Sequence, residues 1–266
     1  MPRDPILDEG QRQQFIEDGY VVVRGLLPAH AVNQTKDALV AAHAELADPS
    51  KWHAMDNVFP NDFGLTMPCW TDSMLECAVD LAGPDILRDK LFSPFREMTG
   101  QDPWMAGYIP VLVYPTPGSK RYEEPQSCHI DGLHRTALYP ESQYLVVFAY
   151  LTDVSDYSGA TSVWPGSHRR VFEHHIRNGK GPGDRISDKE FDFEYGSPIP
   201  VVGKAGDVIF MHYLLIHSGS ANHSASVRIG LNSAIQPDPL RPYVRKTGEP
   251  TPNWSAIDWT LQIPSA

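Results

Sequence analysis

Three residues in the middle and second half of the chain have the chemistry of metal ligands. His129 and Asp131 are separated by one residue, so on an extended strand their side chains point the same way. His217, in the stretch Leu-Leu-Ile-His-Ser-Gly-Ser, supplies a second imidazole. Two histidines and one carboxylate form the facial triad that holds non-haem Fe(II) and leaves coordination positions open. The pattern predicts that these three residues are both the metal ligands and the catalytic residues.

The metal-site pattern is weak on its own, and an arginine in a predicted core strand strengthens it. The chain has 11 histidines, so the distal ligand is ambiguous, and His212 is a rival to His217. Arg228 opens the apolar stretch Arg-Ile-Gly-Leu-Asn-Ser-Ala-Ile, which is typical of a buried strand. A guanidinium inside a β core needs a carboxylate or phosphate partner, and no acidic residue lies nearby in sequence. A bound dicarboxylate would satisfy it.

Composition excludes several classes of partner. The 266 residues include 22 basic and 33 acidic ones, which gives a formal net charge of −11. Nucleic-acid surfaces need clustered basic residues to neutralise phosphates, so no nucleic-acid partner is expected. No apolar run approaches the roughly 20 residues of a membrane span, and no membrane partner is expected. Three scattered cysteines favour a reducing compartment, so a cytoplasmic location is expected.

The first third of the chain has the signals of helices. Asp8 and Gln11 form a capping-box pattern, and Gly19 ends the helix that they begin. Tyr20 to Val23 is β-branched and aromatic and predicts a strand. Pro28 precedes a second helix. Apolar residues at helical spacing predict two more helices, around residues 74–81 and 86–95.

After Gly100 the pattern changes to short apolar segments between glycines and prolines. Such segments without alternating helices favour a sandwich or barrel. We therefore expect one domain over residues 1–266, with a helical part at about 1–100 and a β core at about 101–240. The polar stretch Glu173 to Tyr195 predicts a long loop, either a lid or a surface insertion. The predicted strands are Tyr108–Tyr114, Ser127–Asp131, Tyr144–Leu151, Thr161–Trp164, Asp207–His212 and Val227–Gln236.

Several ordered motifs resemble the phytanoyl-CoA dioxygenase family of Fe(II)/2-oxoglutarate oxygenases, and the resemblance extends along most of the chain. Taken together, the motifs are far more specific than any one of them. They are the opening Phe15–Leu27, the Gln-x-x-His-x-Asp pattern at Gln126–Asp131, the segment Ser158–His168 ending in Pro-Gly-Ser-His, Ala205–Val208 before the distal histidine, and Asn222, Ser224 and Arg228 after it.

The resemblance implies a fold, two cofactors and residue roles. The fold is a mainly β, double-stranded β-helix or jelly-roll (cupin-like) core with helices packed from the N-terminal part. Iron is held by the three ligands, and Arg228 pairs with the far carboxylate of 2-oxoglutarate. Gln126 and Phe148 contact the cosubstrate or its surroundings. The family often has serine two residues after the distal histidine; here that residue is Gly219, so Ser218 or Ser220 is expected to replace it.

The implied reaction is hydroxylation of a C–H bond of a small-molecule metabolite by O2, with release of succinate and CO2. Related halogenases have a small residue in place of the carboxylate ligand, so Asp131 favours an oxygenase. The expected substrate residues are His134, Arg135 and Tyr114, and the two basic ones favour a small, polar or anionic substrate. Two alternatives stay open: a cupin-like metal enzyme that does not use 2-oxoglutarate, and a non-catalytic ligand-binding protein of the same fold.

Overall fold

The protein contains two antiparallel sheets that face one another, with helices packed against the larger one. This arrangement is seen in a computed structural model, and it confirms the predicted jelly-roll core with helical N-terminal packing. The limits of the domain stay a prediction. The structure describes residues 6–55, 57–60, 62–82, 109–131, 145–179 and 191–235.

The first helix begins and ends as its sequence predicts. Helix α1 spans Glu9–Asp18. The Gln11 N–H donates to Asp8 Oδ1 at 2.8 Å, and the Asp8 N–H donates to Gln11 Oε1 at 3.0 Å. Gly19 has a φ of 80°, a left-handed conformation that glycine adopts without strain, and its N–H caps the helix by donating to Phe15 O. The chain then enters strand β1, Tyr20–Val23.

The described part of the chain contains four more α-helices. The predicted helices at Pro28 and near Met74 are present, as α2 and α4. The predicted helix around residues 86–95 lies outside the described residues. Helix α5 covers the first residues of the stretch expected to be a loop, so the loop prediction was wrong for Glu173 to Arg177. The structure describes the rest of that stretch only at residues 178–179 and 191–195. The helices are α2 Ala29–Ala42, α3 Phe63–Thr66, α4 Asp72–Ala82 and α5 Ser167–Arg177.

The larger sheet has five strands in the order β1-β6-β3-β8-β2, and the smaller has three in the order β5-β4-β7. Every neighbouring pair in these sheets is antiparallel. None of the helices in the described part of the chain is long and apolar enough to cross a membrane. The remaining strands are β2 Ile109–Val113, β3 Leu145–Tyr150, β4 Thr161–Val163, β5 Ile199–Val201, β6 Val208–His212, β7 His217–Gly219 and β8 Arg228–Ile235.

Successive side chains of the larger sheet point to opposite faces, so its strands contribute to two separate hydrophobic clusters. On β3, Phe148 and Tyr150 face the smaller sheet, whereas Val147 and Ala149 face the helices. The inner cluster fills the space between the two sheets and includes Val111, Val113, Val146, Phe148, Val163, Val201, Ile209 and Met211. The outer cluster joins the larger sheet to the helices and includes Phe15, Leu39, Met74, Leu145, Val147, Phe210 and Leu231.

The structure differs from the predicted strands in two places. Ser127–Asp131 was expected to be a strand, but only His129 pairs there, in an isolated bridge with His217. The short strands β5 and β7 were not expected as strands, because three residues are too few to show a period.

A candidate iron centre and its cosubstrate pocket

His129, Asp131 and His217 converge in the structure. One ligand atom from each residue lies within 4.8 Å of the others. The Nε2 atoms of His129 and His217 lie 3.3 and 3.6 Å from Asp131 Oδ1. Two imidazoles and one carboxylate on one side of a common point form the donor set of a non-haem iron site.

Local backbone pairing explains how the two histidine ligands, 88 residues apart in the sequence, meet. The His129 N–H donates to His217 O at 3.0 Å, and the His217 N–H donates to His129 O at 2.9 Å. This antiparallel pair places the two imidazoles side by side, with ring centroids 4.5 Å apart. On β7 and β4, His217 is the register partner of Val163, a member of the inner cluster, so the site opens into the space between the sheets.

Hydrogen bonding and charge prepare these side chains to bind a cation. His217 Nδ1 lies 2.9 Å from Leu215 O, so Nδ1 carries the proton and Nε2 is left as the ligand atom. Burial alone would raise the pKa of Asp131, but the charges and hydrogen bonds of His217 and His129 outweigh it and hold the pKa well below its usual range. The carboxylate is therefore ionised at neutral pH.

Arg228 lies in the same space and has no carboxylate partner among the described residues. It is 3% exposed, and its register partner Val113 belongs to the inner cluster. Its Nε donates to Gly159 O at 2.9 Å, and its guanidinium carbon lies 5.0 Å from the centre of the Phe148 ring. Its Nη1 is buried without a hydrogen-bond partner among those residues. Burial lowers the pKa of Arg228 to about 10, which still leaves it charged at neutral pH.

The turn before Arg228 is held by an asparagine. Asn222 Nδ2 donates to Val113 O at 2.8 Å and to Ser226 O at 2.9 Å, while Asn222 Oδ1 accepts from the Ser224 N–H at 3.0 Å. These bonds fix the turn between β7 and β8 and tie it to β2. The sequence offsets drew attention to Asn222 and Ser224 but did not reveal this structural role.

The sequence as a whole matches a known family. The model of the family described as phytanoyl-CoA dioxygenase (PhyH) matches residues 15–230, which is most of the chain. The chain belongs to the phytanoyl-CoA dioxygenase family. It is accordingly an Fe(II)/2-oxoglutarate oxygenase.

Two relatives that are similar to this chain are named as dioxygenases, and one solved structure shares its fold. The dioxygenase FUM3 of Gibberella moniliformis (strain M3125 / FGSC 7600) is 26% identical over 230 residues, covering 81% of this chain and 67% of that protein. A probable phytanoyl-CoA dioxygenase of Caenorhabditis elegans is 21% identical, covering 91% and 80%. The crystal structure of EvdO2 from Micromonospora carbonacea var. aurantiaca shares the fold, with a TM-score of 0.55, 14% identity and coverage of 95% and 98%.

The residues fit the two groups that phytanoyl-CoA dioxygenases use. The His-Asp-His donor set suits Fe(II), and the unpartnered guanidinium of Arg228 suits one carboxylate of 2-oxoglutarate. Membership of this family implies iron and 2-oxoglutarate as the cofactors, and these residues would hold them. Phe148 lies against the guanidinium, but its contact with the cosubstrate stays a prediction.

The other predicted site residues differ in what the structure shows of them. Gln126 is exposed, and its amide donates to Glu124 O at 3.3 Å. Tyr114 follows the last residue of β2, faces the helices and is 1% exposed in the outer cluster, which argues against the predicted contact with substrate. Its pKa is raised to about 12, mainly by burial. His134 and Arg135 lie outside the described residues.

The positions of the two serines after His217 do not support the predicted contact with the cosubstrate. Ser218 pairs with Ser162, on the face of the smaller sheet opposite His217, and its hydroxyl donates to Gly219 O at 3.3 Å. Ser220 Oγ donates to Ala160 O at 2.7 Å. Gly219, which has no side chain, is the residue that shares the inward face with His217.

The rival histidine faces away from the centre. His212 pairs with Leu145 of the outer cluster, and its Nδ1 accepts the Leu214 N–H at 3.1 Å. Burial, with a smaller contribution from His168, lowers the pKa of His212 well below its usual value. His212 is thus a neutral core residue, and it is absent from the metal-ligand group.

Proposed function

We propose that this phytanoyl-CoA dioxygenase family member hydroxylates a C–H bond of a small-molecule metabolite. In this reaction one atom of O2 enters the substrate as a hydroxyl group. The other enters succinate, which forms together with CO2 from 2-oxoglutarate. The observation that carries the proposal is a buried guanidinium, without a carboxylate partner among the described residues, in the same interior as the His-Asp-His group.

The residues of the chain have separate tasks in this proposal. When bound, iron would supply the redox chemistry that activates O2. His129, Asp131 and His217 would hold it, with Leu215 O keeping the His217 ring in its ligating orientation. Arg228 would bind the far carboxylate of 2-oxoglutarate by charge-assisted hydrogen bonds, and Phe148 would limit where the guanidinium can move.

The inner cluster would exclude water from the reacting atoms. Val163 and Phe148 belong to this apolar lining, which borders both the ligand group and Arg228. A dry interior strengthens the pairing of Arg228 with a carboxylate and protects reactive species from side reactions. A cytoplasmic location is part of this proposal because the chain has few cysteines.

Succinate release tests the proposal. Purified protein supplied with Fe(II), ascorbate, O2 and 2-oxoglutarate is expected to form succinate, and Asp131→Ala is expected to abolish it. The matched control is Asp153→Ala, which removes an exposed carboxylate paired with Lys204. Absence of succinate from the wild-type protein under all substrate conditions would contradict the proposal.

A second variant separates the proposal from its alternatives. A metal enzyme that does not use 2-oxoglutarate would keep its activity in Arg228→Ala. A binding protein without catalysis would bind its ligand without consuming oxygen. We expect Arg228→Ala to lose 2-oxoglutarate-dependent oxygen uptake while it still binds Fe(II), because Arg228 is not a metal ligand.

A further inference from the structure

Asn232 is a polar residue in the space between the two sheets. It is not one of the residues assigned above to iron or to 2-oxoglutarate. It lies on β8, four residues after Arg228. Its register partners are Phe148 on β3 and Ile109 on β2. Because paired residues share a face and Phe148 belongs to the inner cluster, Asn232 also points into the space between the sheets.

The carboxamide oxygen of Asn232 is buried and accepts no hydrogen bond from the part of the chain that the structure describes. A buried acceptor without a donor costs about 1–3 kcal/mol of stability, so most such groups in proteins are satisfied. The register partners on either side, Phe148 and Ile109, are apolar and offer no donor.

The surroundings of Asn232 differ from those of two other unsatisfied groups. The Tyr114 hydroxyl and His212 Nε2 are also buried without partners among the described residues. Both residues are 1% exposed within the packing between sheet and helices, where a ligand has no access. Asn232 is only half-buried, whereas those two residues are almost completely enclosed.

The cosubstrate cannot satisfy this oxygen. At neutral pH, 2-oxoglutarate has two carboxylates and a keto group, all of which accept hydrogen bonds and none of which donate. Arg228, with its five donors, is the residue in this interior that suits such a molecule. Neither the described residues nor 2-oxoglutarate supplies a donor to Asn232 Oδ1, and a donor group on a bound substrate would satisfy it.

We propose that Asn232 determines substrate specificity by accepting a hydrogen bond from a hydroxyl or amino group of the substrate. The inference rests on the proposed function, because it places a substrate beside the cosubstrate in one interior. The substrate class is a small molecule that has such a donor next to an apolar portion, which packs near Ile109 and Phe148. A plain hydrocarbon chain would leave the oxygen unsatisfied.

The first test needs no substrate. Asn232→Leu keeps the approximate shape of the side chain and removes the unsatisfied amide, so the melting temperature of the substrate-free protein is expected to stay the same or to rise by about 2–4 °C. A decrease of several degrees would show that the protein already satisfies the amide, and it would overturn the inference. Ser233→Ala, on the other face of β8, is the matched control for substitution in this strand.

The second test identifies the oxidised compound. The protein is incubated with Fe(II), 2-oxoglutarate and 18O2, with either the water-soluble or the lipid fraction of a metabolite extract as the probe. We expect 18O to enter a compound that carries a hydroxyl or amino group. With that compound, KM should rise at least tenfold in Asn232→Leu and stay unchanged in Ser233→Ala. An unchanged KM in Asn232→Leu, or a compound without a donor, would overturn the inference.

A methylated analogue gives a readout that a purely structural residue would not change. Blocking the donor of the identified compound should raise KM for the wild-type protein by the same factor as Asn232→Leu, and the two changes together should add little. Additive effects, or no effect of methylation, would contradict a direct hydrogen bond. Failure of the proposed function is distinguishable: the wild-type protein would then form no succinate with either fraction, whereas failure of this inference leaves succinate formation intact.

Discussion

The two faces of the larger sheet differ although the same strands form both. On β8, Leu231 faces the helices and is fully buried in the outer cluster, whereas Arg228 faces the smaller sheet and carries a charge. On β3, Val147 and Phe148 show the same division. The outer face stabilises the fold by apolar burial. The inner face carries the charged side chain of Arg228, whose Nη1 has no hydrogen-bond partner among the described residues.

This difference indicates that the residues of the inner face lower the stability of the ligand-free protein and are suited to bind ligands. A buried guanidinium without a carboxylate is unfavourable, since burial lowers the pKa of Arg228 to about 10 and thus disfavours the charged form. An apolar residue of similar volume would be more stable there. The inner face is therefore expected to gain stability from its ligands, whereas the outer face is stable without them.

The largest contrast is expected between two histidines on opposite faces. His217→Ala should abolish Fe(II) binding, because it removes one of three ligands. His212→Ala should keep Fe(II) binding and lower the free energy of unfolding by about 2–3 kcal/mol, because it leaves a cavity and the Leu214 N–H without its acceptor. Anaerobic metal titration and urea denaturation measure the two effects. Loss of metal binding in His212→Ala would contradict the predicted difference between the two histidines.

A truncation on the outer face should affect stability alone. Leu231→Ala removes a fully buried side chain, so the free energy of unfolding should fall by about 2–5 kcal/mol. The KM for 2-oxoglutarate should stay within about twofold of the wild-type value, because Leu231 points away from Arg228. A large rise in KM in a variant that is still folded would show that the two faces are coupled.

The opposite pattern is expected for Arg228→Met. Loss of the charge-assisted pairing should weaken 2-oxoglutarate binding about 100-fold, which is about 2–3 kcal/mol. Without cosubstrate, the melting temperature should not fall. The reason is that the pKa of Arg228 is lowered, so below pH 10 the charged form is less favourable in the folded than in the unfolded chain. A lower melting temperature would contradict the view that this charge is unsatisfied.

A smaller effect is expected from Gly230, between Arg228 and Asn232 on the inner face. A Cβ there would lie 2.5 Å from the Phe148 ring and 2.6 Å from Arg228 Nη1. Gly230→Ala should displace both groups and raise the KM for 2-oxoglutarate about tenfold. Gly64→Ala, in helix α3, is the control, because no atom lies within 4 Å of its added Cβ. Similar KM values for the two variants would argue against the Phe148–Arg228 contact as part of the pocket.

Local signals in the sequence predicted much of this architecture. The capping pair Asp8 and Gln11, the αL residue Gly19 and the strand at Tyr20–Val23 depend on neighbouring residues alone and appear as expected. The convergence of the three candidate ligands also appears, although an isolated bridge between His129 and His217 produces it and not the expected strand over Ser127–Asp131.

Features that depend on tertiary pairing could not be predicted. The register of β2 decides on which face of the larger sheet Tyr114 lies, and it places Tyr114 against the helices. The residues of α5 from Glu173 to Arg177 were expected in a loop because the stretch that they begin is polar. That helix is held by tertiary contacts, such as Arg169 Nη2 donating to Ile16 O at 2.7 Å. The free amide of Asn232 was not predicted, since a lack of partners is visible only once the neighbours are placed.

The most direct test of the iron centre and its arginine is anaerobic absorption spectroscopy of the protein with Fe(II) and 2-oxoglutarate. We expect the metal-to-ligand charge-transfer band of chelated 2-oxoglutarate in the wild-type protein, none in Asp131→Ala, and a half-saturating concentration about 100-fold higher in Arg228→Met. No band in the wild-type protein, or equal half-saturation in the wild-type and Arg228→Met proteins, would contradict the account.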